Sequence, residues 1–226
     1  VIGLAEVMDF LAVIHGEDRM MDIIDVMDKK GLYLPGHAPY VSGRMLSAYL
    51  CGGPNTCHET RDRKEALEKL RSGMFVDARD SSITKNVQEV YEGVKGVRFF
   101  DHLCLCTDDR EADDILHVGH MNDVVRSAIR CGMDPVTAIK SATLNTAREI
   151  HLENLGAIAP GYVADMLLVD DLTELKPSHV FFGGKLVARD GKLTVEIPHR
   201  EYPLEKVNTM CVKELSREDF VIHTPV

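Results

Sequence analysis

Residues 99–120 read FFDHLCLCTDDREADDILHVGH. The apolar run at 99–106 leads straight into two carboxylates, Asp108 and Asp109. Such a run suits a buried strand, and in a repeated strand–helix fold the strand C-terminus is where a rigid sheet presents side chains to a site. Two like charges held close cost several kcal/mol unless a cation lies between them. Asp108 is therefore expected to face a metal ion.

Outward from this stretch the same alternation continues. Strands are expected at 1–6, 32–34, 56–57, 74–78 and 99–106. Between and after them, apolar residues recur at helical spacing over 18–30, 42–51, 61–72, 85–94, 120–131 and 135–150. Gly31 and Gly73 follow two of these segments, as helix stops do. Alternating β and α elements argue for the α/β class, a parallel sheet with crossover helices. Five such units amount to over half of an eight-stranded barrel, so a partial (β/α)8 TIM-type barrel is expected over 1–150. An open doubly wound sheet is the alternative, but neither GxGxxG nor GxxxxGK[ST] supports it. From His151 the texture changes to short alternating runs with Gly-rich turns, LGAIAPGYVADMLLVDD and VFFGGKLVARDGKLTV, the pattern of a small β-layer over 151–200. Residues 201–226 have weak periodicity and read as a docked tail or the start of a further domain.

Composition narrows the function. The 226 residues carry a formal charge of -10 and no block of Lys or Arg, which disfavours nucleic acid and anionic membranes as partners. No apolar run approaches the roughly 18–20 residues of a membrane span, and the start has no signal-peptide pattern. Six cysteines form no CxxC pair, so a reduced, cytoplasmic setting is expected, with Cys104 and Cys106 as core packing.

Glu6 ends the first expected strand, His37 follows the second, His58 the third and Asp108 the fifth. Each strand end thus carries a group that binds a divalent metal, and imidazole plus carboxylate is the usual ligand set of hydrolytic Zn²⁺, Mn²⁺ or Fe²⁺. Glu59, beside His58, has three readings: general acid/base, orienting partner of an imidazole, or solvated loop carboxylate. Arg79, Asp80 and Ser82 follow the fourth strand, where substrate-orienting groups belong, and Asp109 and His120 join that set. His117 and His120 stand i, i+3, a spacing that places two side chains on one helix face.

Five segments carry a resemblance: GLAEVMD (3–9), GHAP (36–39), CHE (57–59), LCTDD (105–109) with GHMNDVVRSAI (119–129), and GAIAPGYVADMLLVDD (156–171). In order and spacing they resemble the adenine deaminases of the amidohydrolase superfamily. The resemblance implies a (β/α)8 barrel with a small β-sandwich, and hydrolysis of a small-molecule purine, adenine, to hypoxanthine and ammonia in purine salvage. It further implies a binuclear divalent metal centre and a homodimer. By motif, Glu6 resembles the carboxylate that bridges two metals, His37 and His58 the histidine ligands of the fifth and sixth strands, and Asp108 the eighth-strand aspartate that binds metal and accepts a proton. The chain departs from the family pattern at Pro35, where Asp is usual, and at Asp80-Ser81-Ser82, where Glu-Gly-Ser is usual.

The chemistry needs these residue types. Displacing an exocyclic amine takes hydroxide near neutral pH, which a bound divalent metal makes available, and a carboxylate to move the proton. Two other readings stay open: a cyclic amide or imide hydrolase using the same ligands, and a non-catalytic homologue with an incomplete metal site. The family's first-strand His-x-His and C-terminal domain have no counterpart in these residues, so the chain is expected to be the middle of a longer enzyme and inactive alone.

Overall fold

The segments Thr56–Cys57 (β1), Phe75–Arg79 (β2) and Leu103–Cys106 (β3) pair side by side as a parallel sheet in the order β1-β2-β3. Helix α4, Arg63–Arg71, crosses from β1 to β2, and α5, Val87–Val94, from β2 to β3. Register sets Asp77 beside Cys104 and Arg79 beside Cys106. Both faces of β2 and β3 are almost wholly covered; β3 reads as an unbroken apolar run, whereas β2 carries Asp77 and Arg79 into the same covered setting. The computed structural model describes residues 3–222; Val1, Ile2 and 223–226 lie outside the described residues, and with them parts of the first expected strand and of the expected tail. The chain divides into two compact units, Val1–Thr194 and Val195–Val226.

Three helices precede β1: Phe10–His15 (α1), Asp18–Lys29 (α2) and Gly43–Cys51 (α3). After β3 come Ala112–His117 (α6), Met121–Arg130 (α7), Pro135–Ser141 (α8) and Leu144–Glu149 (α9). Val76, Ala78, Leu103 and Leu105 pack with Val87, Val90 and Val124 from α5 and α7 in one apolar cluster. Val7, Val13, Ile24, Leu46, Tyr49 and Met74 form a second, around α1, α2 and α3.

Four expectations are corrected. The strands at 1–6 and 32–34 are single parallel bridges, Gly3 to Tyr33 and Val7 to Gly36. Pro35 has no N–H to give a ladder, and the Gly36 N–H donates instead to Thr56 Oγ1 at 2.9 Å. The strand at 99–106 begins only at Leu103, because the chain turns at Asp101 and His102, where the His102 ring stacks on Phe75 at 4.1 Å. The helix at 135–150 is two helices broken at Thr143, whose hydroxyl donates back to the Ile139 carbonyl at 2.7 Å. Helices α1 and α6 were not anticipated, although α1 has a local signature: Asp9 caps it by accepting the Ala12 N–H, and Gly16 closes it in the left-handed region.

Beyond His151, Met166–Val169 (β4), Pro177–Phe182 (β5), Lys185–Arg189 (β6) and Lys192–Leu193 (β7) form one antiparallel sheet in chain order. Gly183 and Gly184, both at positive φ, make the two-residue turn between β5 and β6. In the second unit, Leu204–Val207 is a helical turn and Arg217–Phe220 a 3-10 turn capped by Ser216 and Asp219.

Candidate metal centre

The segment 3–7 runs parallel to 33–36, and β1 lies next to 36, so Glu6, His37 and His58 leave three neighbouring extended segments at one end. Glu6 Oε2 lies 3.0 Å from His58 Nε2 and 3.6 Å from His37 Nδ1. The two imidazole rings stand 5.3 Å apart, nearly perpendicular. One donor atom from each of the three residues falls within 4.8 Å of the others. His37 Nδ1 is buried and has no hydrogen-bond partner among the described residues. Two imidazoles and a carboxylate suit Zn²⁺, Mn²⁺ or Fe²⁺, so these residues fit a divalent ion. Burial holds the His58 imidazole below its ordinary value, with the Glu6 carboxylate pulling the other way.

Asp108 joins a second group, with His58 and Glu59, rather than the one containing Glu6 and His37. It stands just past β3 at φ 53, a left-handed conformation that Asp tolerates better than most residues and that recurs at functional sites. The buried Arg79 guanidinium pairs with both Asp108 and Glu59, and Arg61 pairs with Glu59 from the other side. Arg79 thus ties together carboxylates from the ends of two different strands.

The remaining expected substrate residues are elsewhere engaged. Asp80 accepts the Ser127 hydroxyl from α7. Ser82 donates to Asp114 of α6 and accepts the Glu111 N–H at 2.9 Å. Asp109 and His120 are exposed; the carbonyl of the first accepts from Ser82 N, and the backbone N–H of the second donates to Asn122. His117 is exposed on α6 and bonds its own helix at Asp113.

Four supporting residues, Lys69, Glu65, Asn86 and Tyr49, are not singled out by the sequence. Lys69 on α4 is wholly buried, and its ammonium donates to the Ala38 carbonyl at 2.6 Å, Cys57 Sγ at 3.2 Å and Glu65 Oε1 at 2.6 Å. Glu65 in turn accepts the backbone N–H groups of Tyr40 and Arg61, each at 2.7 Å. One buried ion pair therefore grips the loops on both histidines. Asn86 accepts the Arg79 N–H at 2.7 Å and donates to the carbonyls of His58 and Thr60. Tyr49 of α3 accepts the His37 N–H at 3.0 Å. The only local hint was the Glu65–Lys69 spacing of four, which on a charged helix ordinarily marks a solvated pair.

Gly36 is needed at the approach to His37. A Cβ there would lie 2.2 Å from the Thr56 carbonyl oxygen and 2.6 Å from Tyr49 Oη. Gly36→Ala is expected to cost about 1–3 kcal/mol of stability, read as a lower denaturation midpoint; an unchanged midpoint would mean the backbone has room to spare.

A cavity of ≈ 270 Å³ opens beside the centre, lined by Glu6, His58 and Asp108 and by Tyr33, Asp77 and Glu149. The Amidohydrolase family model matches residues 1–187. The chain belongs to the amidohydrolase family. This amidohydrolase is 39% identical over 222 residues to the adenine deaminase of Kosmotoga olearia, covering 98% of the chain and 38% of that protein. It is equally 39% identical over 224 residues to adenine deaminase 2 of Carboxydothermus hydrogenoformans, again spanning 38% of the relative's length. Among solved structures it shares the fold of the Fervidobacterium islandicum beta-aspartyl dipeptidase (TM-score 0.61, 21% identity, 87% of this chain and 60% of that one). The N-acetyl-D-glucosamine-6-phosphate deacetylase of Mycobacterium smegmatis is also similar (TM-score 0.58, 20% identity, 76% and 52% covered).

Asp77 on β2 makes a further prediction. Burial, then the Glu149 carboxylate, holds its acid well above the ordinary 3.8. A raised carboxyl stabilises the fold most below its unfolded value, and that contribution is lost as pH climbs through the folded value. Asp77→Asn, which cannot ionise, is expected to raise the melting temperature of the metal-free protein at alkaline pH and to change it little in acid. Equal shifts at both ends of a pH series of melts would count against a raised Asp77.

Proposed function

We propose that this amidohydrolase is part of an adenine deaminase that converts adenine and water to hypoxanthine and ammonia. The single observation that carries the reading is the convergence of Glu6, His37 and His58, with Asp108 and Glu59 sharing His58. In this reading the parallel sheet belongs to a (β/α)8 barrel over 1–150, residues 151–200 to a β-sandwich, and 201–226 to a tail or further domain. The enzyme works in the cytoplasm as a homodimer.

Glu6, His37, His58 and Asp108 would hold divalent metal, Mn, Fe or Zn, as a pair of ions. Bound there, the metal supplies Lewis acidity and hydroxide near neutral pH. Asp108 takes one proton from the attacking water and delivers it to the ring nitrogen, then takes the remaining proton of the added hydroxyl and delivers it to the amine, which leaves as ammonia when the C–N bond breaks, so that one carboxylate serves as base and acid in turn. Glu59, held between Arg61 and Arg79, is the second acid/base group and faces His58. Arg79 pairs with Asp108 and with Glu59 and aims both at the same space. Asp109 and His120 are left as rim contacts for the purine.

The test assays ammonia release from adenine by the longest native polypeptide carrying these residues, loaded with Mn²⁺. Turnover of adenine that disappears on chelation and returns with metal is expected. Hydrolysis of hydantoin-type cyclic amides with none of adenine would replace this reading with that of a cyclic amide hydrolase.

A further inference from the structure

The sheet brings a third donor cluster together. Asp77 of β2 and Cys104 of β3 are register partners, and Glu149 at the end of α9 reaches the same spot. One donor atom from each lies within 4.8 Å of the other two. All three residues are more than nine-tenths buried. We propose that Asp77, Cys104 and Glu149 form a cation site of their own, separate from Glu6, His37 and His58, that takes one thiophilic divalent ion such as Zn²⁺ or Cd²⁺.

Charge is the first argument. Two carboxylates and a thiol are enclosed here, and neither carboxylate pairs with a described Lys, Arg or His. Buried carboxylates without a partner are costly, and such clusters are neutralised by a proton or by a metal. A shared proton satisfies only part of this one, because Asp77 Oδ1 is buried with no hydrogen-bond partner among the described residues.

Donor chemistry favours the metal. A thiolate with two carboxylate oxygens combines a soft ligand with hard ones, a set that Zn²⁺ and Cd²⁺ accept and that Mg²⁺ or Ca²⁺ would not select. Donors bound at roughly 2.0–2.3 Å stand up to about 4.5 Å apart, so groups already inside 4.8 Å need little movement. On its far side Glu149 accepts the Tyr33 hydroxyl. That is the kind of outer hydrogen bond that orients a ligating carboxylate. The cluster also lines the ≈ 270 Å³ cavity, which supplies an entry path. Binding expels the Cys104 thiol proton, so uptake releases protons in proportion to metal bound. None of this depends on the deaminase reading.

The experiment is a Cd²⁺ titration of the metal-free protein, followed by the ultraviolet thiolate-to-cadmium charge-transfer band. Part of the band is expected to vanish in Cys104→Ser and to persist in His58→Ala, which disables the other centre. Asp77→Asn and Glu149→Gln should each weaken Cd²⁺ binding at that band by at least about tenfold. A full band in Cys104→Ser overturns the proposal, and so do carboxylate variants with unchanged affinity. Should Cys104→Ser fail to fold, cadmium NMR of the unaltered protein decides: a resonance typical of mixed sulfur and oxygen donors supports the site, and its absence at saturation refutes it.

Discussion

Lys69→Met is expected to destabilise the protein by about 3–5 kcal/mol, the cost of stranding one partner of a buried ion pair. Lys69 is fully buried, and its ammonium makes three hydrogen bonds. Methionine fills nearly the same volume with no donor. The Glu65 carboxylate would then be left without its cation, and the Ala38 carbonyl and Cys57 sulfur would lose their donor. The loss concentrates where it matters, because Ala38 follows His37 and Cys57 precedes His58. Divalent-metal affinity should fall along with stability. Denaturant unfolding monitored by circular dichroism measures the first, and calorimetric metal titration of the folded variant the second. The double variant Glu65→Leu/Lys69→Met removes both charges and should recover part of the loss, although the Tyr40 and Arg61 N–H groups still lose their acceptor. A single-variant cost below about 1 kcal/mol, the level of an exposed pair, would show that burial adds nothing here.

Asp108→Asn is expected to lower turnover of adenine by about 10²–10⁴-fold, the usual contribution of a positioned acid/base group, while leaving the fold intact. Asparagine is close to isosteric and tolerates the positive φ that Asp108 adopts. Arg79 also keeps its second anion, Glu59, so no buried guanidinium is abandoned. In the proposed reading the change therefore removes a proton acceptor and a metal ligand with little else. A metal titration beside the kinetics separates the two roles: at saturating metal, the remaining deficit reports proton transfer. Turnover within about tenfold of the unaltered enzyme would remove Asp108 from that role.

Much of the scaffold was legible because its causes are local. Thr56–Cys57 is a strand where its neighbours and turns predict one, and the helices over 18–29, 43–51 and 87–94 follow apolar spacing and stop residues. Local rules also misled. The segment at 61–72 reads as a charged amphipathic helix, whose ionic residues belong on the outer face, yet Lys69 and Glu65 are among its most buried residues. A strand at 32–34 was a reasonable reading until Pro35 and the diverted Gly36 N–H are taken into account.

The sequence alone determined that strand and helix alternate, and that Glu6, His37, His58 and Asp108 each follow an extended stretch, since periodicity and punctuation act over a few residues. Only the tertiary structure decided which of these groups meet: His58 stands between Glu6 and His37 on one side and Glu59 and Asp108 on the other. It alone brought Tyr33 to Glu149, 116 residues away, and set Asp77 against Cys104 by strand register. Such meetings depend on how helices and strands pack, a property of the whole buried volume that no short window of residues encodes.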